Sequence, residues 1–311
     1  MPALSVVIPV YNSEQTLQDL CARLHTTLPA LTLSYEIILV NDNSRDGSWA
    51  LIAGLAQQYP ALRAINLMRN FGQHNALLCG IRAARYPIIV TMDDDLQHPP
   101  EEIAKLLARL DAGWDVVYGT PQQEQHGFWR DLASQTTKIA LRSAMGADIA
   151  RNVTAFRAFR TAIRSAFATY QGPFVSIDVL LTWGTTRFAA VPVRHDPRGT
   201  GVSNYTFRRL MTHALNMVTG FSVLPLQLAS IIGFGFTLFG VAILIYVLAR
   251  YIIAGGSVPG FPFLASVIVI FAGAQLFALG IIGEYLARIH FRIMDRPAYV
   301  IREQIDQSPS L

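Results

Sequence analysis

The sequence predicts an α/β protein with a Rossmann-like, mostly parallel sheet, followed by an amphipathic interfacial helix and a two-helix transmembrane hairpin. Three observations predict it. Over residues 4–118, short β-branched apolar runs alternate with segments of helical spacing, as in a doubly wound sheet whose strands are buried on both faces. From Leu210 to Gly283 the only charged residue is Arg250. Between these regions, Phe207, Leu210, Met211, Ala214, Leu215 and Val218 recur at helical spacing, with Arg208, Arg209, His213 and Asn216 on the other faces.

The strands are expected at Leu4–Val10, Glu36–Val40, Leu62–Leu67, Ile88–Met92 and Val116–Tyr118, with helices over Ser13–Leu28 and Gly47–Tyr59. Further helices are expected over about Phe128–Met145 and Thr161–Tyr170, and a strand over Arg187–His195. In a doubly wound sheet ligands bind beyond the carboxyl ends of the strands, here Tyr11–Glu14, Asn41–Asp46, Arg69–Gln73 and Asp93–Gln97. A bilayer core takes about 20 apolar residues per helix. The uncharged run from Val223 to Ala249 therefore supplies one span. The run from Tyr251 to Gly283 is broken by Gly255, Gly256, Pro259, Gly260 and Pro262, and its remainder supplies a second. Arg208 and Arg209 precede the pair, Arg288, Arg292 and Arg296 follow it, and the turn between carries no Lys or Arg, which places both ends in the cytoplasm. The expected division is a cytosolic domain over 1–203, a juxtamembrane helix over 204–222, a membrane segment over 223–288 with spans near 224–249 and 263–286, and a cytosolic tail over 289–311.

Composition agrees with this division. Of 311 residues, 52% are hydrophobic and 15% charged, against roughly 25% charged in an ordinary soluble domain; the mean hydropathy is +0.34. Disorder is excluded. Residues 1–125 hold 13 Asp/Glu against 8 Lys/Arg, and residues 126–209 hold 4 against 12, so an acidic stretch (net −5) precedes a basic one (net +8). A basic stretch of this kind suits phosphates or an anionic membrane face. The N-terminus lacks a basic n-region and reaches Pro9 and Asn12 too early for a signal peptide. Cys21 and Cys79 have no CxxC spacing and are read as buried free thiols in a reducing compartment.

The strongest chemical signal is Thr91-Met92-Asp93-Asp94-Asp95-Leu96-Gln97 at the end of the fourth strand. Three adjacent carboxylates repel one another unless solvated or neutralised by a cation. Alternation along an extended chain would aim Asp93, Asp95 and Gln97 one way and Asp94 the other. Oxygen ligands at that spacing suit Mg2+ or Mn2+ held together with a diphosphate; the plain alternative is a solvated acidic loop before the helix near Pro99.

Taken in order, Val6-Val7-Ile8-Pro9-Val10-Tyr11-Asn12-Ser13-Glu14, Val40-Asn41-Asp42-Asn43-Ser44-Arg45-Asp46-Gly47-Ser48, Asn70-Phe71-Gly72-Gln73-His74 and the aspartate strand with Gln97-His98-Pro99-Pro100-Glu101-Glu102 resemble family 2 glycosyltransferases of the GT-A fold. More narrowly, with Arg198-Gly199-Thr200-Gly201-Val202-Ser203-Asn204-Tyr205 and Gly283-Glu284-Tyr285-Leu286-Ala287-Arg288, the chain resembles the polyprenyl-phosphate glycosyltransferases over about residues 4–300. That group includes dolichyl-phosphate mannose synthase and bacterial enzymes that charge undecaprenyl phosphate with glucose or aminoarabinose. The resemblance implies that Pro9, Tyr11, Glu14 and Asp42 line a nucleotide pocket and that Asp93, Asp95 and Gln97 form the diphosphate and metal site, with Mg2+ or Mn2+ as cofactor. It also implies that Arg130 and Ser134 hold the lipid phosphate and that Arg198 and Ser203 belong to a loop closing over the phosphates. Each has a plain alternative: Pro9 and Tyr11 as a strand end, Arg130 and Arg198 as solvated surface arginines.

The implied reaction is metal-dependent, inverting, single-displacement transfer of one sugar from a UDP- or GDP-sugar to a polyprenyl, undecaprenyl-type phosphate. The catalytic set would be Asp95, Arg130, Arg198 and the position of Asn152, with Arg157 a further phosphate contact. An acceptor phosphate whose second pKa is near 6 is already ionised at neutral pH, so little need remains for a general base. Three departures stand out. Asn152 occupies the place of a family Asp proposed as base, Pro121 a place where mannose synthases tend to have Arg, and Asn204 one where many relatives have Lys. The implied setting is the inner membrane, multi-pass, with the catalytic domain and both termini cytoplasmic and no nucleic-acid partner. Two helices leave room for subunit packing, so a homo-oligomer is expected, a tetramer among the options. The rival readings are a degenerate sugar-nucleotide-binding scaffold, mildly favoured by Asn152, and a processive polysaccharide synthase, disfavoured by the missing Gln-x-x-Arg-Trp motif.

Overall fold

The computed structural model describes residues 3–121, 153–172, 175–196, 224–254, 260–294 and 296–307. The expected helix near 128–145, the loop after Gly199 and the interfacial helix over 204–222 lie outside these residues.

The core is one eight-stranded sheet in the order β7-β5-β6-β4-β1-β2-β3-β8. Its strands are β1 Leu4–Val10, β2 Tyr35–Asn41, β3 Leu62–Leu67, β4 Ile88–Thr91, β5 Val116–Pro121, β6 Arg157–Arg160, β7 Phe188–Val193 and β8 Ile301–Ile305. The block β4-β1-β2-β3 is parallel. β1 is buried along its whole length because both faces are covered and both edges paired, which is why it reads as an apolar run broken only by Ser5, whose hydroxyl donates to Glu36 Oε1 (2.6 Å). Side chains alternate between two cores. Val6, Ile8, Ile37, Leu39 and Val90 pack with Leu17, Leu20 and Leu24 of α1 (Leu17–Leu31), Ile52 and Leu55 of α2 (Ser48–Gln58) and Ile103 and Leu106 of α4 (Ile103–Asp111). Val7, Ile38, Val40 and Ile89 pack on the opposite face with Leu77 and Ile81 of α3 (Gln73–Ala83) and Leu180 of α5 (Ile177–Thr182). Contact is closest at Gly80, where an added Cβ would lie 2.3 Å from Val7 Cγ1, so glycine lets α3 sit directly on β1.

Two strands have no counterpart in the sequence reading, and both run antiparallel, so the sheet is mixed though mostly parallel. β6 inserts between β4 and β5; its sequence, RAFR, begins and ends in arginine and hides its apolar centre. β8, in the tail beyond the last helix, pairs with β3 and is largely exposed and polar (IREQI). The helix expected over Thr161–Tyr170 is a 3-10 helix over Thr161–Phe167. α1 begins at Leu17 rather than Ser13 because Ser13 is otherwise engaged: its N–H donates to Ser48 Oγ (3.0 Å) and its hydroxyl to Asp94 Oδ2 (2.5 Å).

α6 (Leu224–Ala254) and α7 (Phe261–Ile293) are long and apolar enough to cross a membrane. At 1.5 Å per residue they extend about 46 and 50 Å, beyond the roughly 30 Å of a hydrocarbon core. They meet through Phe236 and Phe271, whose rings are 5.7 Å apart, while side chains such as Ile252, Ile253 and Leu276 stand exposed.

Candidate active site

The chain leaves β1 toward β2 and β3, then returns to place β4 on the other side of β1. The crevice beyond the carboxyl ends of β1 and β4 is therefore the topological switch point, where open α/β sheets bind ligands. A cleft of about 240 Å3 opens there, lined by Pro9, Val10, Tyr11, Asp42, Asn70, Gly72, Gln73, Asp93, Asp94 and Asp95.

Each wall is held by a carboxylate. Asp42, 2% exposed, accepts the N–H groups of Phe71 (2.7 Å) and Gly72 (2.8 Å), fixing the turn into α3, where Gly72 has φ +93°. Burial pushes the Asp42 pKa up, against the pull of those two N–H groups. Asp94 Oδ2 accepts from the Ser13 hydroxyl (2.5 Å) and the Tyr11 N–H (3.3 Å), tying the end of β4 to the end of β1. Burial raises its pKa to about 6, opposed by these bonds and assisted by Asp95. Gln73 Nε2 donates to Asp93 Oδ1 (2.6 Å), and Gln97 N to Asp95 Oδ1 (3.2 Å).

Pro9, Tyr11, Asp42, Asp93 and Asp95 thus line one cleft. Glu14 is not among the lining residues; its Oε2 accepts the Gly47 N–H (2.9 Å), and a Cβ on Gly47 would lie 2.4 Å from Glu14 Oε1. Alternation does not carry through the acidic run, because β4 ends at Thr91 and Leu96 has φ +59°. As a result Asp94 lines the cleft beside its neighbours, while the Gln97 amide turns toward His195, Nε2 to Nε2 3.4 Å. His195 in turn packs on His98, ring centroids 4.8 Å apart. Burial first, and then His195, pushes the His98 pKa down to about 4, so it packs as a neutral ring. Arg157 lies in the core, 1% exposed. It is paired with Asp178 and donates through Nε to Thr91 Oγ1 (3.0 Å), while the Tyr118 hydroxyl donates to Asp178 Oδ1 (3.1 Å). Arg130, Ser134, Asn152, Arg198 and Ser203 lie outside the described residues.

The roles of Asp94, Asn70 and Gln73 were missed by sequence reasoning. The motif Asn70-Phe71-Gly72-Gln73 marked the loop without assigning a contact, and nothing local to Asp94 announces that Ser13 lies beside it. The donor set suits a hard divalent cation. Four carboxylates, Asp42, Asp93, Asp94 and Asp95, line the cleft and, among its described residues, no Lys or Arg does, so a diphosphate would meet no positive side chain there. Among the described residues no three His, Cys, Asp or Glu converge as a closed metal site, because Asp94 is turned to Ser13 and Tyr11. That leaves Asp93 and Asp95, with further oxygens to come from a ligand.

A switch-point sheet of this kind with candidate membrane helices is the architecture of a membrane-associated GT-A glycosyltransferase. Residues 5–171 match the family described as Glycosyl transferase family 2, and the chain belongs to that family. It is 33% identical over 310 residues, 99% of this chain and 91% of the relative, to an undecaprenyl-phosphate 4-deoxy-4-formamido-L-arabinose transferase of Pseudomonas aeruginosa. The Enterobacter protein of the same name is 34% identical, over 98% and 94%. Among solved structures, the fold resembles glucosyl-3-phosphoglycerate synthase of Mycobacterium tuberculosis, crystallised with Mn2+, UDP and phosphoglyceric acid, with a TM-score of 0.54, 16% identity and coverage of 70% of this chain and 76% of that one. It also resembles mannosyl-3-phosphoglycerate synthase of Rubrobacter xylanophilus, with a TM-score of 0.51, 18% identity and coverage of 70% and 72%.

Proposed function

We propose that this glycosyltransferase moves one sugar from a UDP- or GDP-sugar to an undecaprenyl-type phosphate, by a metal-dependent, inverting single displacement at the cytoplasmic membrane face. The observation that carries the reading is the acidic switch-point cleft in a chain alike over 99% of its length to undecaprenyl-phosphate sugar transferases. In the cleft, Pro9 and Tyr11 border the nucleotide and Asp42 holds the turn beneath it. Asp93 and Asp95 would hold Mg2+ or Mn2+, which would neutralise charge building on the departing diphosphate. The acceptor phosphate oxygen attacks the anomeric carbon as the bond to the diphosphate breaks, so no proton need be removed from an acceptor already ionised at neutral pH. Arg130, Ser134, Arg198 and Ser203 supply the acceptor side, and Asp94 and Arg157 act from behind by holding the cleft floor.

The division into a catalytic domain, juxtamembrane helix, hairpin and tail belongs to the same proposal. Two observations support both ends of the hairpin lying on the catalytic side: the arginines at its ends, and the pairing of β8, beyond the second helix, with β3 of the catalytic sheet. Two spans leave lipid-facing surface for a homo-oligomer. The test is turnover of the purified full chain with undecaprenyl phosphate, Mg2+ or Mn2+ and a panel of UDP-, GDP- and dTDP-sugars, with the product's anomeric configuration read by NMR. One donor should be consumed with inversion, and EDTA or Asp95→Ala should abolish it. Turnover indifferent to both would overturn the metal role. Asn152→Asp should leave the rate within about twofold; a large gain would show that a base is needed.

A further inference from the structure

Beneath the cleft runs a row of polar side chains for which the reaction as proposed has no use. Asn41 ends β2, Asn66 lies beside it in β3, and Glu303 lies beside Asn66 in β8; Asn41↔Asn66 and Asn66↔Glu303 are register pairs of adjacent strands. Both asparagines are buried. Asn66 Nδ2 donates to Glu303 Oε1 (3.0 Å), Asn41 Nδ2 to Asn66 Oδ1 (2.8 Å), Ser44 Oγ to Asn41 Oδ1 (2.6 Å) and the Asn12 backbone N–H to Ser44 Oγ (3.0 Å). Every bond runs in the same direction. The ends dictate it: a carboxylate only accepts and a backbone N–H only donates, so each amide and hydroxyl between them has one orientation that satisfies the row. Bonds aligned in this way polarise one another, most strongly when the last acceptor is an anion.

The upper end reaches the cleft wall. Asn12 has φ +55°, a left-handed conformation that a side-chain-bearing residue adopts at a cost. It stands between Tyr11, which lines the cleft, and Ser13, which holds Asp94. Its own Oδ1 accepts the Arg45 N–H (2.8 Å). The lower end is carried by a strand that the chain reaches only after both apolar helices. β8 is held to the domain by its ladder with β3 and by Asp306, which accepts from Arg63 (3.0 Å) and Arg85 (2.6 Å), so Glu303 is not the strand's sole side-chain attachment. What it supplies is the acceptor that orients two buried amides.

We propose that Glu303 is a positioning residue for the donor cleft. By terminating the row Asn12–Ser44–Asn41–Asn66–Glu303 it holds Asn12 in its left-handed conformation and so seats Tyr11 against the donor. Donor binding is thereby linked to docking of the tail that follows the membrane hairpin. The inference rests on reading the cleft as the nucleotide-sugar site.

The test uses the full chain in one detergent. Glu303→Ala should speed backbone hydrogen exchange over residues 10–16 without any ligand and raise KM for the sugar nucleotide about fivefold, the scale of one hydrogen bond, with kcat and KM for the lipid phosphate unchanged. Glu303→Gln keeps an amide oxygen for Asn66 and should restore both readouts. Ser44→Ala breaks the row at its other end. It should raise donor KM by a similar factor, and the double variant should go no further than the larger single effect. Unchanged exchange over 10–16 in Glu303→Ala, multiplicative effects in the double variant, or failure of Gln to rescue would each overturn the inference. The exchange readout needs no donor, so it stands if the donor reading fails; that failure would show separately, as donor affinity indifferent to Asp95→Ala.

Discussion

The buried Arg157–Asp178 pair separates a core role for this arginine from a phosphate-binding one. Arg157 is 1% and Asp178 7% exposed. Replacing Arg157 with Met leaves the Asp178 carboxylate in the core with the Tyr118 hydroxyl as a neutral partner. It also removes a donor to Thr91, whose own hydroxyl still donates to the Ala155 carbonyl (2.8 Å). Stranding one member of a buried pair costs about 3–5 kcal/mol. Most of that is the uncompensated charge, so the double variant Arg157→Met/Asp178→Leu should return to within about 1–2 kcal/mol of the parent. In thermal unfolding of the detergent-solubilised chain, at roughly 2–4 °C per kcal/mol, Arg157→Met should lower Tm by about 10 °C and the second substitution should regain most of it. Activity measured well below that Tm should keep its KM for lipid phosphate. An unchanged Tm with a raised acceptor KM would refute the reasoning and put the guanidinium at the acceptor.

Two further predictions concern packing. Gly80→Ala should cost about 1–3 kcal/mol by overpacking, since its Cβ would meet Val7 Cγ1 at 2.3 Å and Val40 Cγ2 at 3.1 Å. Gly54→Ala in α2, with nothing within 4 Å, should gain up to about 1 kcal/mol; urea unfolding of both checks the contrast, and equal effects would refute it. Burial pushes the pKa of the Cys21 and Cys79 thiols up to about 12. The reactive thiolate is therefore scarce throughout pH 7–9, and iodoacetamide should label neither cysteine in the native protein and both in denaturant. Labelling of the native protein that rises with pH across that range would show a thiol at the surface.

The legible part of the fold was the part whose signal is local. β1 and β3 lie where their apolar runs place them, because strands buried on both faces read as nearly continuous apolar runs, their few polar residues (Ser5, Arg63 and Asn66) being paired. β6 and β8 were illegible because nothing in RAFR or IREQI is apolar enough to mark a strand; partners far along the chain stabilise them. The acidic run was legible as a site by composition, yet its geometry was not. The strand ends before the run, so alternation could not say that Asp94 would be turned to Ser13 or that the Gln97 amide would face His195.

By itself the sequence determined the order of the first five strands, the two apolar helices and the placement of Asp93–Asp95 after a buried strand, all consequences of hydrophobic periodicity and local charge. Only the tertiary structure decided which of those groups face one another. Arg157 reads as a phosphate contact until β6 lies between β4 and β5 and brings it to Asp178. Glu303 looks like a residue of a polar tail until β8 lies along β3. A charge reveals its sign in the sequence, but its partner and its desolvation depend on chain segments that only folding brings within a hydrogen bond's reach.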